Sequence, residues 1–263
     1  MSILEEIAEK TRERVKRQKE KVSMESIKAQ AMQMIHNSNE KKDTLYSALS
    51  KKGIHLICEV KKASPSKGII AEEFPYLDIA KDYEAGGASA ISVLTEPFYF
   101  LGSDAYLREI RKKVSLPILR KDFIVDDYQI YETRVLGADA CLLICSLMDC
   151  ETLKRRIELA KSLSLSVLVE THNEDEIKMA LKAGANIIGV NNRNLADFTV
   201  NVNHSSNLRK MVPKEVVFVS ESGIKYPEQI RTLEQLGVNA VLIGETLMRS
   251  EDRVNAVKEF KGR

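Results

Sequence analysis

Apolar residues keep two different rhythms along this chain. Up to about residue 50 they recur at roughly helical spacing, as at Leu4, Ile7, Val15 and Val22, in a background rich in Glu, Lys, Arg, Gln and Met. No Gly or Pro interrupts the stretch before Gly53. Residues 1–50 are therefore expected to form a helical extension that packs on a larger body as a lid or brace, since so short a segment is a poor candidate for an independent domain.

From His55 onward a second unit repeats: a short β-rich run, a polar loop, then a stretch with helical spacing. The runs are His55 to Val60, Ala90 to Leu94, Pro117 to Arg120, Ala140 to Ile144, Ser166 to Val169, Ile187 to Val190, Val216 to Val219 and Ala240 to Ile243, which predicts about eight strands. Gly87-Ala88, Gly137-Ala138, Gly184-Ala185 and Gly237-Val238 stand just before four of these runs. Glycine at such a place ends the preceding helix in the left-handed conformation. Successive runs lie roughly 20 to 35 residues apart, the length of a right-handed strand–helix–strand crossover. Unbroken apolar stretches such as Cys141-Leu142-Leu143-Ile144 suit a parallel sheet covered by helices.

Eight such units fit either a closed (β/α)8 barrel or an open doubly wound sheet, and the polar residues separate the two. The first run leads into Glu59 and Lys61, the third into Lys121, the fifth into Glu170 and the sixth into Asn191. The seventh leads into Glu221 and Ser222, and the eighth into Gly244 and Glu245. The outer strands of an open sheet hold such groups too far apart to meet, whereas a barrel turns every strand end to one mouth. No G-x-G-x-x-G fingerprint follows the first run, which weakens a dinucleotide-binding sheet further. The expectation is an α/β protein, a TIM barrel over residues 51–263 carrying the extension at its N-terminus.

Composition narrows the class without changing this picture. The 263 residues are 44% hydrophobic and 30% charged with a net charge of +2, which excludes disordered and fibrous chains. The longest apolar run, Ala140 to Cys145, is six residues, far short of the roughly 20 that cross a bilayer. The first residues, Met-Ser-Ile-Leu-Glu-Glu-Ile, carry acids where a signal peptide needs basic residues, so export is not expected. Cys58, Cys141, Cys145 and Cys150 form no C-x-x-C pair and read as reduced thiols of a cytoplasmic protein. Near-neutral charge offers no field for nucleic acid. Arg12, Arg14, Lys16, Arg17, Lys19 and Lys21 form a local basic stretch, but Glu13 and Glu20 interrupt it and it reads as a solvated helix face.

The strand ends carry the chemistry. An isolated charge beside a core costs several kcal/mol, so charges there are paired or functional. Lys61 and Lys121 bring two cations, Glu59 and Glu170 two anions, and Asn191 an amide; a rim of purely structural salt bridges is the competing explanation. Ser222-Gly223 and Gly244 supply small residues whose backbone N–H groups can approach an anion, with helices expected just beyond, and phosphate sites commonly follow strands 7 and 8 of such barrels. The loop Lys61-Lys62-Ala63-Ser64-Pro65-Ser66-Lys67-Gly68 could close over an anionic substrate. His36, His55, His172 and His204 show no metal-ligand spacing; His172 alone lies near a strand end and reads as an exposed loop residue. No metal ligands and no nucleophile elbow are predicted.

These residues resemble one family, indole-3-glycerol-phosphate synthase, over nearly the whole chain. The resemblance rests on Ile57-Cys58-Glu59-Val60-Lys61 with Ser64-Pro65-Ser66, Ser92-Val93-Leu94-Thr95-Glu96 with Phe100-Leu101-Gly102-Ser103, and Pro117-Ile118-Leu119-Arg120-Lys121-Asp122-Phe123-Ile124. It continues through Leu168-Val169-Glu170, Gly189-Val190-Asn191-Asn192-Arg193-Asn194-Leu195, Ser220-Glu221-Ser222-Gly223-Ile224 and Leu242-Ile243-Gly244-Glu245. It implies a lyase of tryptophan biosynthesis that converts 1-(2-carboxyphenylamino)-1-deoxyribulose 5-phosphate to indole-3-glycerol phosphate with loss of carbon dioxide and water, without cofactor or metal. It further implies Lys121 as the acid of ring closure, Glu170 as a base, and Lys61 as the group that holds the anthranilate carboxylate and can donate a second proton. Which lysine serves which step stays open at this point. Glu59 and Asn191 match residues that fix substrate hydroxyls and hold the lysines, and Arg193 looks suited to orienting Glu59 or the substrate. Ser64, Glu221, Ser222, Gly223, Gly244 and Glu245 match the substrate and phosphate contacts, with the Glu245 carboxylate expected to turn away from phosphate. Phe100, Phe123 and Leu142 match the pocket for the anthranilate ring. Arg120 departs from the pattern, because an apolar residue is commoner there.

The short stretch after the eighth helix leads us to expect a single-activity form without a fused second barrel, working as a monomer or weak homo-oligomer on a phosphorylated small molecule. Two alternatives compete: a Schiff-base aldolase or sugar-phosphate isomerase using the strand-end lysine, and a non-catalytic sugar-phosphate-binding protein. Two lysines and two glutamates in one mouth speak against the second, since phosphate binding alone needs no paired acid and base.

Overall fold

Eight parallel strands close on themselves in a computed structural model that describes residues 2–36, 44–194 and 197–262. In chain order the strands are β1 (His55–Val60), β2 (Ala63–Ser64), β3 (Gly68–Ile69), β4 (Ala90–Leu94), β5 (Ile118–Lys121), β6 (Ala140–Ile144), β7 (Ser166–Thr171), β8 (Ile187–Asn191), β9 (Val217–Glu221) and β10 (Ala240–Ile243). The helices are α1 (Ile3–Lys21), α2 (Met24–His36), α3 (Thr44–Leu49), α4 (Tyr76–Gly86), α5 (Asp104–Arg111), α6 (Asp127–Val135), α7 (Cys150–Ser162), α8 (Glu174–Lys182), α9 (Asn203–Leu208), α10 (Pro227–Gln235), α11 (Glu245–Met248) and α12 (Arg253–Phe260). The barrel order is β1-β10-β9-β8-β7-β6-β5-β4, and β2 and β3 form a separate antiparallel hairpin. Leu195 of the quoted motif, and residues 37–43 of the expected extension, lie outside the described residues.

The eight predicted strands are all present, with one systematic difference. β5, β7, β8 and β9 each run further than expected and take in Lys121, Glu170, Asn191 and Glu221. Parallel neighbours keep these polar ends in the ladder: Glu170 pairs with Gly189, and Asn191 with Glu221. The chemistry thus sits on strand backbone, which is stiffer than the loops beyond. Gly87, Gly137, Gly184 and Gly237 have φ of 91, 86, 83 and 79°, the left-handed helix ends that the sequence called for.

Alternation along each strand sorts the residues between two cores. Inward-facing Ile57, Leu119, Ala140, Leu168, Ile187, Val219 and Ala240 fill the barrel, joined by Leu45 and Leu49 of α3. Outward-facing residues such as Cys58, Val60, Ile91, Cys141 and Val169 pack with the surrounding helices. Ser2 and Glu5 cap α1 reciprocally, and its Leu4, Ile7 and Val15 are buried as their spacing predicted.

The basic stretch of α1 is not simply a solvated face. Arg14 donates to both oxygens of Asp122 at 2.8 and 2.9 Å, and Lys19 to Asp126 at 2.7 Å, so two of its six cations tie α1 to the barrel. Arg12, Lys16, Arg17 and Lys21 are exposed as expected. The carboxylates that recruit the other two are more than a hundred residues away in sequence, where no local pattern could show them.

Candidate active site

Every second residue at the C-terminal strand ends faces a single cavity of about 640 Å³. β1 contributes Glu59 and is followed by Lys61, while β5 contributes Lys121, β7 Glu170, β8 Asn191 and β9 Glu221. The same cavity is lined by Ser64, Phe100, Phe123, Leu142, Arg193, Ser222, Gly223, Gly244 and Glu245, so all fifteen residues singled out from the sequence meet there.

One side is an apolar slot. Phe100 and Phe123 stand with ring centroids 5.9 Å apart and tilted by 38°, above Leu142 on β6. Helix α1 adds Ile3, Leu4 and Ile7 to the lining. Such a surface suits a flat aromatic group.

Opposite lies a buried ionic cluster. Lys121 Nζ donates to Glu170 Oε2 at 3.1 Å and lies 3.5 Å from Glu221 Oε2. Burial disfavours its charge, yet the carboxylates of Glu170, Glu221 and Glu59 outweigh that and hold the ammonium well above the ordinary lysine value. Burial likewise works against ionised Glu170, but Lys121, His172 and the amide of Asn191, which donates to Oε1 at 3.1 Å, keep it strongly ionised. Glu221 has the opposite fate. Its burial and its carboxylate neighbours prevail over Lys121 and push it up to about 7. Both its oxygens are buried without a hydrogen-bond partner among the described residues. Lys61 and Glu59 form a second pair at 2.5 Å.

Two glycines make this density possible. A Cβ on Gly189 would collide with the Glu221 carboxylate, and one on Gly244 would come within 2.5 Å of Glu59 Oε1 and 2.8 Å of Lys61 Nζ. Any side chain at either place would displace a charged group. At the third side of the cavity Ser222 and Gly223 both adopt positive φ, 70 and 88°. For Ser222 this is uncommon backbone, held by the surrounding structure. Asn192 secures it, donating through Nδ2 to Ser220 Oγ and Ser222 O. Lys67, Lys225 and Arg249 add three cations to the lining, an environment fitted to an anion.

These contacts bear on several expectations. Of the two roles expected of Arg193, contact with Glu59 is not seen among the described residues: its guanidinium donates to Phe198 O at 3.2 Å, and Glu59 takes Lys61, while Arg193 lines the cavity where substrate would sit. Of the two helices expected beyond the glycines, only the one after Gly244 starts at once; α10 begins at Pro227. The loop after the first strand is an ordered hairpin, β2 paired with β3, which aims Ser64 into the cavity. The Glu245 carboxylate pairs with Arg249 at 3.2 Å and lies 3.8 Å from Lys67. His172 is no exposed loop residue: it is 17% exposed and lies between Glu170 and Glu176.

The largest omission of the sequence reading is on the outer face of β5. Arg120 is fully buried and its guanidinium reaches Asp104 at 3.0 Å, Asp122 at 3.3 Å and Glu132 at 2.7 Å. Thr95 Oγ1 donates to Asp122 at 2.7 Å, and Arg14 completes the set. This network braces Lys121 from both sequence neighbours. The odd arginine in an apolar run was its only local signal. Among the described residues, no group of three or more His, Cys, Asp or Glu is arranged to hold a metal ion.

A family model described as indole-3-glycerol phosphate synthase matches residues 4–260. Among similar curated proteins, the indole-3-glycerol phosphate synthase of Ruminiclostridium cellulolyticum is 52% identical over 260 residues, covering 99% of each chain. That of Endomicrobium trichonymphae is 53% identical over 261 residues, covering 98% of this chain and 99% of its own. Among solved structures, KGPDC from Streptococcus mutans superposes with a TM-score of 0.62 at 15% identity, covering 79% of this chain and 95% of that one. Thiamine phosphate pyrophosphorylase from Pyrococcus furiosus gives a TM-score of 0.58 at 17% identity, over 83% of this chain and 96% of that one. At such identities the structural likeness speaks for the barrel alone.

Proposed function

The chain belongs to the indole-3-glycerol phosphate synthase family, and within that activity we propose that Lys121 is the acid of ring closure, Glu170 the base and Lys61 the second acid. Its reaction turns 1-(2-carboxyphenylamino)-1-deoxyribulose 5-phosphate into indole-3-glycerol phosphate, carbon dioxide and water, a step of tryptophan biosynthesis. The observation that carries the assignment of roles is Lys121 held between Glu170 and Glu221 at 3.1 and 3.5 Å, facing the aromatic slot.

In ring closure the anthranilate carbon that bears the carboxylate attacks the ketone carbon. The ketone oxygen becomes a hydroxyl and needs a proton, which a fully charged Lys121 can give. Loss of carbon dioxide returns the electron pair to the ring and restores aromaticity. The hydroxyl then departs as water with a proton from Lys61, and Glu170 removes a proton from the adjacent methylene carbon to form the indole double bond. The protons balance: two are given, one is taken, and the departing carboxylate accounts for the one consumed from solvent. The hydrogen bond between Glu170 and Lys121 offers a route for the proton on Glu170 to restore the lysine.

Phe100, Phe123 and Leu142 hold the anthranilate ring, while Glu59, Asn191 and Glu221 fix the lysines and the sugar hydroxyls. Ser64, Ser222, Gly223 and Gly244 receive the phosphate through hydroxyl and backbone donors, near the side chains of Lys67, Lys225 and Arg249. The paired Glu245 carboxylate is kept off the phosphate by Arg249. Arg193, held by its bond to Phe198 O, lines the cavity in reach of the substrate. A Schiff-base mechanism at Lys121 is disfavoured, because an amine must be neutral to attack and three carboxylates keep this one charged.

We read residues 1–50 as an extension of the barrel of residues 51–263, since α1 lines the cavity and binds Asp122 through Arg14. A cytoplasmic monomer or weak homo-oligomer is the setting we favour; no described helix is long and apolar enough to cross a membrane. The roles are tested by Glu170→Gln, followed through indole fluorescence as substrate is consumed. Turnover is expected to fall by at least about a hundredfold with KM little changed. Activity within a few-fold of the parent would refute the base assignment.

A further inference from the structure

Glu170 has a further partner, one that does not itself line the cavity. Strand alternation puts residue 172 on the same side as residue 170, and His172 turns its ring accordingly, with Nε2 3.4 Å from Glu170 Oε1. The other ring nitrogen, Nδ1, lies 3.2 Å from Glu176 Oε2, which also accepts from His172 N at 2.8 Å. Asn173 fixes Glu176 in turn, donating through Nδ2 to Oε1 at 3.2 Å and capping Glu176 N at 2.9 Å. His204 Nε2 sits 2.7 Å from the carbonyl oxygen of His172. His172 is mostly buried and does not line the cavity, so any effect on the reaction passes through Glu170.

We infer that His172, anchored by Glu176, is a positioning residue that aims the Glu170 carboxylate and keeps it ionised until substrate supplies the proton. The inference rests on the reading of Glu170 as the base. Charge counting around the site shows why such a residue is needed. Glu170 and Glu221 face a single shared ammonium, Lys121, while Lys61 is taken by Glu59. One cation between two buried carboxylates leaves one of them inclined to hold a proton. A protonated base cannot accept another. A second cation on the far side of Glu170 directs that proton to Glu221, which is the carboxylate found with raised affinity for it.

His172 is equipped to be that cation. The charged groups around its ring are the carboxylates of Glu170 and Glu176 and, acting more weakly, that of Glu221; nearby is the Cys145 thiol, which Glu170 and Glu176 help to hold protonated. Burial opposes charge on the imidazole, but the two glutamates prevail and push it up to about 10. Nε2 is a buried atom with no hydrogen-bond partner among the described residues, and at 3.4 Å from Oε1 it is close enough to tighten onto Glu170.

The test compares turnover against pH for the parent, His172→Gln and Glu176→Gln, and titrates the imidazole nitrogens of parent and Glu170→Gln enzyme by NMR. Removing a cation raises the pKa of the base, so the acid limb of kcat should move up by about one pH unit in His172→Gln with KM within about twofold of the parent. Glu176→Gln, which weakens the anchor while keeping the imidazole, should move it less in the same direction. His172 should stay protonated above the ordinary histidine range, and drop towards that range in Glu170→Gln. An acid limb unmoved in both variants, a change confined to KM, or an imidazole neutral at pH 7 would overturn the inference. Parent-like turnover in Glu170→Gln would instead remove the base assignment, while the imidazole titration would still judge the contact by itself.

Discussion

Replacing Lys121 by Met keeps most of the side-chain length and removes one ammonium, with two separable consequences. The first is loss of the acid. Since three carboxylates keep Lys121 charged at any working pH, no part of its contribution is hidden by partial deprotonation, and the full general-acid effect of about 10²- to 10⁴-fold is at stake. That corresponds to about 3 to 5 kcal/mol in the barrier to ring closure. The second consequence is electrostatic. Without the cation that lies 3.1 Å from Glu170 and 3.5 Å from Glu221, the two carboxylates share a low-dielectric site and must take up a proton. His172 still favours placing that proton on Glu221, but without Lys121 the pair shares it near neutral pH, so Glu170 is partly disabled, and raising the pH removes the proton. The deficit of Lys121→Met should therefore exceed about a hundredfold at pH 8 and grow by up to about tenfold at pH 6. Initial rates of indole fluorescence at saturating substrate, taken across that range with no added metal, provide the measurement. A deficit of less than about threefold would refute the acid assignment, and a deficit independent of pH would refute the shared-site electrostatics.

The other expectations concern stability, phosphate and the brace behind the site. Glu221 binds its proton more tightly folded than unfolded, so its charge costs nothing below about pH 4.5 and increasingly more up to about 7. Glu221→Gln should accordingly raise the urea midpoint at pH 8, with the gain fading towards pH 4.5; parallel midpoint curves would contradict this. Arg120→Met strands Asp122, Glu132 and Asp104 around a missing guanidinium, and should cost about 3 to 5 kcal/mol in urea denaturation. A loss below about 1 kcal/mol would mean that the network is not held by Arg120. Ser222→Ala should raise KM about fivefold while leaving kcat within about twofold, as expected for one lost hydrogen bond to phosphate; an unchanged KM would count against the phosphate assignment.

Much of the cavity was legible because its residues obey local rules. Lys121, Glu170, Asn191 and Glu221 each stand at or next to the end of a predicted strand, and a charged or amide side chain at that place on a parallel strand is noticeable without coordinates. What the local pattern hides depends on partners that only the fold brings into contact. Arg14 reads as one more solvated cation because Asp122, 108 residues later, gives no sign of it locally. His172 lies in the loop before α8 as expected but is not exposed there, because Glu176, which in sequence is one more acid at the start of that helix, anchors it.

By itself the sequence determined the repeating unit, the eight strands and the residue types at their ends, because strand periodicity, glycine helix ends and crossover length all act over a few tens of residues. Only the closed barrel decided which charges pair. Coulomb attraction and desolvation depend on distance and burial, so Glu170 ionised, Glu221 inclined to hold a proton and His172 drawn in beside Glu170 are properties of separate strand ends brought together around Lys121.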